Sequence, residues 1–256
     1  MRDIFSRLVP SPIVQRLRAL NLLQNYVSQH EWVEKPGGEN ILVLAPHPDD
    51  EVLGCGGTLY KHSQGGVQIT VLYLTTGAQA TEKTLIQERQ EEAKRGGKVL
   101  GINRFEFWDY PKQSLPASEE TVNKMEEFLS FAHFDLVYLP SFLDNHVDHR
   151  VTNEIFVRAC ERLKKPPECY AYEVWTPLIP NRFVDITDVI DVKRKAIMFH
   201  KSQIKYKDKN YSINYFGLNA YRALYVDAPE IIYSEAFLHC TNHEYRALYN
   251  SFMGGR

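Results

Sequence analysis

The chain has few of the features that mark secreted or disulfide-rich proteins. Its 256 residues include only four cysteines, which are Cys55, Cys160, Cys169 and Cys240. No two of them have CxxC spacing, which argues against a disulfide scaffold and against a thiolate zinc site. The cysteine content therefore predicts a protein of the reducing cytoplasm.

Long apolar runs and a charge excess are also missing. No run approaches the roughly 20 residues that a membrane span requires, and the first five residues lack the apolar core of a signal peptide. The formal net charge is −2, so the chain has no overall attraction to nucleic acid or acidic membranes. We therefore expect no transmembrane segment and no nucleic-acid partner. The 44% hydrophobic and 24% charged content is typical of a globular protein.

What the chain does contain is a regular alternation of strand-like and helix-like segments. The predicted strands are residues 41–45, 67–75, 105–108, 136–139 and 169–175, and the predicted helices are 51–64, 82–100, 148–163, 189–201 and one that begins at Ser118. Strands that alternate with helices of this length predict a mainly parallel sheet covered by helices on both faces. The absence of a linker predicts one α/β domain over residues 1–256.

The two ends of the chain are expected to add to this domain. Apolar residues at helical spacing predict an N-terminal helix within residues 1–35. This helix would pack on the domain or lie on a partner or membrane surface, and its modest positive charge favours packing. Residues from about 206 to 256 are rich in Tyr and Asn and are expected to form a C-terminal extension folded onto the domain.

Two clusters of histidine and aspartate follow predicted strands. The first is Ala45-Pro46-His47-Pro48-Asp49-Asp50-Glu51, and the second is Asp144-Asn145-His146-Val147-Asp148-His149. Open α/β sheets bind ligands at the carboxyl ends of their strands. Imidazole and carboxylate suit catalytic zinc, which commonly has three protein ligands and a water. Iron(II) or another divalent ion is also compatible, because neither cluster contains a thiolate.

The residues permit one assignment of roles, although spacing alone does not decide it. His47, Asp50 and His149 could hold a metal, and Asp49 could take a proton from water activated by that metal. His146, oriented by the Asp148 carboxylate, could stabilise a developing oxyanion. A single Asp or His near a helix start is more often a cap or turn residue. Glu51 is expected only as a first-turn residue favoured by the helix dipole.

Motifs along the chain resemble those of the PIG-L/LmbE-like N-acetylglucosaminyl deacetylases. Residues 45–51 reproduce the family's Ala-His-Pro-Asp-Asp-Glu signature with Pro46 added within it, and residues 146–149 resemble its His-Pro-Asp-His motif with Val147 in place of Pro. Later family segments are resembled by Arg89 with Glu92, by Lys195-Ala196 with His200-Lys201-Ser202-Gln203, and by Glu235-Ala236-Phe237. The resemblance covers about residues 40–240.

The resemblance implies a Rossmann-like α/β fold and a zinc-dependent N-deacetylase. The implied metal ligands are His47, Asp50 and His149. The implied catalytic residues are Asp49 as general base, His146 for the tetrahedral intermediate or the leaving amine, and Asp148 as the partner of His146. Arg89 lies where family members contact substrate.

The expected substrate is an N-acetylated amino sugar, similar to N-acetylglucosamine, in a glycan, nucleotide or lipid conjugate. Two alternatives remain open, namely an amidase that cleaves another amide of such a conjugate and a non-catalytic, metal-bearing glycan-binding module. The presence of both Asp49 and His146 beside the ligands disfavours the module, since binding does not require proton transfer. A homo-oligomer is left open, and the sequence indicates neither the exact substrate nor the native metal.

Overall fold

A computed structural model describes residues 30–206, 209–210 and 212–253. The strands are β1 (Glu31–Val33), β2 (Asn40–Ala45), β3 (Gln68–Thr75), β4 (Arg104–Tyr110), β5 (Leu136–Pro140), β6 (Glu168–Tyr172), β7 (Arg182–Asp185), β8 (Lys205–Tyr206), β9 (Lys209–Asn210) and β10 (Ser234–Cys240). The helices are α1 (Asp50–Gln64), α2 (Lys83–Val99), α3 (Glu119–Ala132), α4 (Val147–Cys160), α5 (Ile190–Ile197), α6 (Lys201–Ile204), α7 (Ser212–Ala223) and α8 (Asn242–Met253).

One sheet carries the fold, with strand order β1-β7-β10-β6-β5-β2-β3-β4. Strand β2 pairs in parallel with β3 on one side and with β5 on the other. Its side chains alternate between two cores, with Ile41 and Val43 in one and Leu42 and Leu44 in the other. A parallel strand buried on both faces reads as a continuous apolar run, which is the pattern of residues 41–45.

Helices cover both faces of the sheet. Apolar residues of α1, α2 and α5 join the core that contains Ile41, and those of α3, α4 and α8 join the core that contains Leu42. This arrangement confirms the predicted α/β, Rossmann-like fold. Among the described residues, no helix is both long and apolar enough to cross a lipid bilayer.

The two ends of the chain differ from the prediction. Residues 31–33, assigned to the helix predicted within residues 1–35, form edge strand β1, where Trp32 pairs with Phe183 of β7. Residues 1–29 of that predicted helix lie outside the described residues. Aromatic and β-branched residues favour strands, and pairing with β7 outweighs the helical spacing.

The C-terminal extension contributes to the sheet itself. Strand β10 lies between β6 and β7 and pairs antiparallel with both. Its centre, Ala236-Phe237-Leu238, is buried. An apolar run this short does not reveal its partners from sequence, so the prediction of an extension folded onto the domain missed this central strand.

A buried ion pair supports the middle of α1, where the helix is interrupted at Cys55. The carboxylate of Glu235 accepts the backbone N–H groups of Gly57 (2.9 Å) and Thr58 (2.8 Å). Nζ of Lys193 donates to Glu235 (2.6 Å) and to the Leu53 carbonyl (2.9 Å). The pair therefore stabilises both halves of α1. We call Lys193, Glu235, Asn219 and Thr58 the ion-pair cluster.

The topology also determines where the two motifs meet. Strands β2 and β5 are parallel neighbours, so their carboxyl ends lie at the same edge of the sheet. Four residues, 46–49, join β2 to α1, and six residues, 141–146, join β5 to α4. The His- and Asp-rich segments of both motifs therefore meet at one edge.

Candidate active site

Three ligand atoms converge at this edge. Nδ1 of His47 lies 3.1 Å from Oδ2 of Asp50, and Nε2 of His149 lies 3.2 Å from the same oxygen. The two nitrogens are 3.3 Å apart. A tetrahedral zinc with bonds of 2.0–2.1 Å separates its ligands by about 3.3 Å. The atoms therefore have the chemistry and the spacing of three ligands to one small cation.

The local backbone explains why these residues converge. Asp50 begins α1, and its Oδ2 also accepts the backbone N–H of His47 at 2.8 Å, which closes the short loop after β2. His149 lies in the first turn of α4, which His146 caps by accepting the Asp148 N–H at Nδ1. Both ligand histidines are therefore held by helix starts at the sheet edge.

Two further carboxylates lie behind the ligand histidines. Oδ2 of Asp148 is 2.9 Å from Nε2 of His47, and Oδ2 of Asp144 is 3.4 Å from Nδ1 of His149. A carboxylate at the second ring nitrogen orients a metal-binding imidazole and increases its basicity. We call His47, Asp50, His149, Asp144 and Asp148 the His–Asp cluster. The sequence included Asp144 in the second motif but assigned it no role.

The cluster stabilises positive charge. Burial lowers the pKa of His149, but Asp50 and Asp144 outweigh it and raise that pKa to about 10. Burial also lowers the pKa of His47, and Asp50 and Asp148 again produce a net increase. Burial raises the pKa of Asp50, yet the two imidazoles lower it overall. A pocket that favours protonated imidazoles also favours a divalent cation in their place.

His146 is a further candidate ligand, in addition to His47, Asp50 and His149. Within the described part of the chain, His47, His146 and His149 form a group whose ligand atoms all lie within 4.8 Å of one another, and such a group could bind a metal. However, Nδ1 of His146 accepts the Asp148 N–H at 3.2 Å, which places the hydrogen of a neutral ring on Nε2. Burial, together with His47 and His149, lowers the His146 pKa to about 4. A neutral ring with an Nε2–H favours the role of hydrogen-bond donor.

The contact between Asp148 and His146 differs from the expected one, in which the Asp148 carboxylate orients His146. The Asp148 carboxylate accepts the Gln113 N–H at 2.8 Å as well as contacting His47, and it is 3.9 Å from Nδ1 of His146. The Asp148 backbone, not its carboxylate, therefore orients His146. The first turn of α4 imposes this geometry, because His146 is the N-cap of that helix.

Asp49 lies beside the cluster in an unusual conformation. It is buried and has a φ of 153°, a region that residues other than glycine rarely adopt. Oε2 of Glu51 accepts the Asp49 N–H at 3.2 Å, and Tyr73 donates its hydroxyl hydrogen to Oε1 of Glu51 at 2.7 Å. Burial and the nearby Asp49 carboxylate raise the Glu51 pKa to about 8, although the Tyr73 hydrogen bond opposes this. Glu51 is thus more than the first-turn residue that the sequence indicated, because it holds the Asp49 backbone.

A cavity of about 350 Å³ opens onto this site. His47, Asp49, Asp50 and His146 line it together with residues of neighbouring loops. Arg89, predicted to contact substrate, lies on its wall, as do Lys112 and Trp175. Sequence reasoning assigned no individual role to Lys112 and regarded Trp175 as a packing residue. The available signal was their position, since each follows a strand, β4 or β6, that ends at the same edge of the sheet.

The structure also shows where the residues of the later motifs lie. Lys193 is fully buried in the ion-pair cluster, whereas Lys195, which the sequence matched to the family's lysine, is exposed. His200 is buried and does not line the cavity, but Ser202 and Gln203 do. Glu235 belongs to the ion-pair cluster. These motifs therefore serve two purposes, since some support α1 and others form the cavity wall.

Comparison with known proteins identifies relatives of this arrangement. Residues 42–160, which contain both motifs, match the family described as PIG-L, GlcNAc-PI de-N-acetylase. A diacetylchitobiose deacetylase of Thermococcus kodakarensis is 28% identical over 187 residues, covering 64% of this chain and 70% of that protein. A 4-oxalmesaconate hydratase of Pseudomonas putida is 26% identical over 188 residues, covering 62% of this chain and 72% of that protein.

A solved structure supports the same relationship at the level of the fold. The N,N'-diacetylchitobiose deacetylase from Pyrococcus horikoshii superimposes with a TM-score of 0.74 and 24% identity, covering 89% of this chain and 94% of that one. This similarity agrees with the predicted fold. The family match and the Thermococcus relative confirm the predicted resemblance and the predicted class of enzyme, an N-deacetylase.

Proposed function

Since residues 42–160 carry a PIG-L-family domain, we propose that the chain is a metal-dependent hydrolase that removes an acetyl group from an N-acetylated amino sugar. The observation that carries this proposal is the triangle of His47, Asp50 and His149, with Asp49 and His146 at the same cavity. The expected substrate is a small conjugate of an N-acetylglucosamine-like sugar.

Zinc is the metal that we propose, held by His47, Asp50 and His149. Two nitrogens and one oxygen form a common donor set for catalytic zinc, and iron(II) or another divalent ion also accepts such ligands. When bound, such an ion polarises the amide carbonyl and lowers the pKa of a bound water towards neutrality.

The protein residues then divide the proton transfers. Asp49 accepts a proton from the attacking water as general base. The Nε2–H of His146 donates a hydrogen bond to the oxygen on which negative charge develops. The proton that Asp49 has accepted then passes to the leaving amine, which releases acetate and the free amino sugar. Arg89, on the cavity wall, contacts the substrate outside the reacting amide.

The proposed setting follows from the composition. All four cysteines are buried and free, which supports the predicted cytoplasmic location because thiols stay reduced there. The proposed small-molecule partner is the amino-sugar conjugate that serves as substrate.

A product assay tests the proposal. Zinc-loaded protein is incubated with a panel of N-acetylhexosamine conjugates, and mass spectrometry follows the loss of one acetyl group together with acetate release. We expect both products from at least one conjugate. A longer acyl product would instead identify an amidase. Binding without turnover would identify a glycan-binding module.

A further inference from the structure

The backbone of Asp49, the proposed general base, has a conformation that its neighbours must impose. Its φ is 153° and its ψ is −22°, which lies outside the regions open to residues with a side chain. Such a conformation persists only where surrounding contacts fix it. The contacts of the two peptide groups on either side of the Asp49 Cα therefore decide where its carboxylate lies.

The peptide group after Asp49 is fixed by helix α1. The Asp49 carbonyl accepts the backbone N–H groups of Val52 and Leu53, both at 3.0 Å. These hydrogen bonds form the first turn of the helix, so this peptide group is aligned with the helix axis. The conformation of Asp49 then depends on the other peptide group, which joins Pro48 to Asp49.

Two side chains hold the Pro48–Asp49 peptide from opposite sides. Its N–H donates to the His47 carbonyl at 3.0 Å and also to Oε2 of Glu51 at 3.2 Å. Its carbonyl oxygen, on Pro48, accepts a hydrogen bond from Nε2 of Gln203. The peptide is trans, so its N–H and C=O point in opposite directions. Contacts at both groups therefore fix the peptide plane and, with it, the φ of Asp49.

Glu51 is itself anchored through its other oxygen. Tyr73 donates its hydroxyl hydrogen to Oε1 of Glu51 at 2.7 Å. The Tyr73 ring stacks on Phe107 with the ring centroids 4.9 Å apart. Glu51 and Tyr73 are both inaccessible to solvent. Glu51 is thus tied to strands β3 and β4 and cannot follow the Asp49 N–H if the peptide turns.

Gln203 is placed by a separate anchor on α2. The preceding residue, Ser202, donates its backbone N–H at 2.9 Å and its hydroxyl at 2.6 Å to the Glu92 carboxylate, which is buried. The Gln203 N–H donates to the His200 carbonyl at 3.0 Å. The His-x-Ser-Gln segment is therefore fixed against α2, and it places Gln203 on the cavity wall beside Pro48.

We propose that Glu51 and Gln203 are positioning residues that clamp the Pro48–Asp49 peptide and so keep the Asp49 carboxylate directed into the cavity. Without the clamp, Asp49 would relax to a negative φ, and its Cα–Cβ bond would turn. A displacement of about 1 Å at a reacting group can lower a rate by about 10²-fold. The proposal rests on the deacetylase function proposed above and assigns a role in it to two residues that act through Asp49.

Gln203→Met tests one side of the clamp. It removes the donor to the Pro48 carbonyl and keeps a side chain of similar length. With the full, zinc-loaded chain and the best acetylated substrate, we expect kcat to fall about tenfold and KM to stay nearly unchanged. Gln90→Met is the matched control, because Gln90 is also partly exposed, donates to Asp109 and lies outside the cavity. A higher KM with unchanged kcat would overturn the proposal, since Gln203 would then contact substrate instead.

Glu51 permits a rescue by a conservative variant. Glu51→Met removes the acceptor of the Asp49 N–H and should lower kcat by about 10²-fold. Glu51→Gln keeps an oxygen that can accept this hydrogen bond and should retain most of kcat. Zinc content should match that of the unmodified chain in both variants. Equal losses in Glu51→Met and Glu51→Gln would contradict a role that depends on the hydrogen bond to Asp49.

A double-variant cycle distinguishes positioning from a general effect on the fold. Once the base is absent, its direction no longer affects the rate. Adding Gln203→Met to Asp49→Asn should therefore cause no further loss of kcat, because residues that act as a unit have non-additive effects. The same loss in both backgrounds would show that Gln203 does not act through Asp49.

A crystal structure separates this inference from the proposed activity. In the zinc-loaded double variant Glu51→Met/Gln203→Met, we expect Asp49 to have a negative φ, whereas Gln90→Met should keep the φ of the unmodified chain. Gln203→Met alone gives the same readout if the double variant does not fold. Relaxation of Asp49, without acetate release by the unmodified chain from any substrate, would support the clamp while contradicting the deacetylase. Acetate release with an unchanged Asp49 φ and undiminished kcat in the variant would do the reverse.

Discussion

The protein buries charge in two places along α1, and the two places differ. The ion-pair cluster lies at the middle of the helix, and the His–Asp cluster lies at its start. Lys193, Glu235, His149 and Asp50 are all nearly inaccessible to solvent. Burial therefore does not distinguish the two clusters, but the matching of their charges does.

In the ion-pair cluster every charged atom has a partner. The three ammonium donors of Lys193 meet three acceptors, on Glu235, Leu53 and Asn219. The Glu235 carboxylate also accepts the N–H and the hydroxyl of Thr58. Nothing is left for a ligand to satisfy, so we interpret this cluster as structural.

In the His–Asp cluster the partners do not balance. Three carboxylates surround two imidazoles, and Nδ1 of His47 faces Nε2 of His149 at 3.3 Å. A hydrogen on one of these nitrogens leaves the other as a lone pair directed at the same point, where Asp50 also presents an oxygen. Nitrogen and oxygen lone pairs that converge on one point, with too few hydrogens to form hydrogen bonds between them, indicate a cation site. The comparison of the two clusters shows that incomplete matching of charges and hydrogen-bond partners, more than burial, identifies a functional site.

The largest expected effect is a loss of kcat when Asp49 is replaced. This loss distinguishes proton transfer by Asp49 from metal binding by the His–Asp cluster. Asp49→Asn should lower kcat by about 10²–10⁴-fold, because the general base is lost. Asn has nearly the same size and shape as Asp, so the backbone conformation should persist. Kinetics with the best acetylated substrate measure the loss, and zinc content serves as the control. Loss of zinc in this variant would show that Asp49 is a ligand instead.

The next effect tests whether the ion-pair cluster is structural. Lys193→Met leaves Glu235 buried without its countercharge and should destabilise the fold by about 3–5 kcal/mol. Chemical denaturation measures the free energy of unfolding. Lys195→Met is the control, since Lys195 is exposed on the same helix. Adding Glu235→Gln to Lys193→Met should recover part of the loss. A stable Lys193→Met variant that lacks activity would contradict the structural interpretation.

A smaller effect is expected behind the ligands. Asp144→Asn removes the carboxylate beside Nδ1 of His149 and should weaken zinc affinity about 10–100-fold. Competition with a chromogenic chelator measures that affinity. The exposed Asp191, which pairs with Arg194, provides the control Asp191→Asn. Unchanged zinc affinity in Asp144→Asn would show that the Asp144 carboxylate does not support metal binding by His149.

The smallest effect concerns a buried histidine with no carboxylate beside it. His62 contacts the Tyr138 hydroxyl at 2.9 Å, and burial, with a contribution from Lys35, lowers its pKa to about 3. The unfolded chain binds a proton near pH 6.5 that the folded protein excludes, so stability falls as pH decreases from 6.5 towards 3. Between pH 6.5 and 5.5 this loss amounts to about 1 kcal/mol.

Unfolding measured at those two pH values tests this contrast with His149. His62→Gln should reduce the difference in stability between pH 6.5 and 5.5, while His243→Gln, at an exposed position, should leave it as in the unmodified chain. An identical pH dependence with and without His62 would mean that its pKa is not depressed. The comparison of His62 with His149 would then fail to show that neighbouring carboxylates, more than burial, decide whether the pKa of a buried histidine rises or falls.

Much of the fold could be predicted because its central strands are continuous apolar runs. Residues 41–45 and 136–139 are recognisable as strands buried on both faces, and the helices between strands set the parallel order. Strands β1, β7 and β10 of the main sheet were missed. Both β1 and β10 pair with β7 across long sequence separations, and β10 also pairs with β6. Local patterns carry little information about such partners.

The candidate site was predicted only as far as its motifs reach. His47, Asp50 and His149 follow strands that turn out to be neighbours, so proximity followed from topology. The sequence shows that Lys112 and Trp175 follow strands, but their placement on the cavity wall depends on loop conformations, including the left-handed Gln113, which a single sequence does not reveal. The role of Glu51 was missed because its burial depends on Tyr73 of β3.

The central claim is that His47, Asp50 and His149 hold one divalent cation while His146 does not. Metal analysis after chelation, reloading with zinc and desalting tests it in the unmodified chain, Asp50→Ala and His146→Ala. We predict about one zinc per chain, almost none, and about one, respectively. Zinc retained by Asp50→Ala and lost by His146→Ala would contradict the account and assign the site to the three histidines.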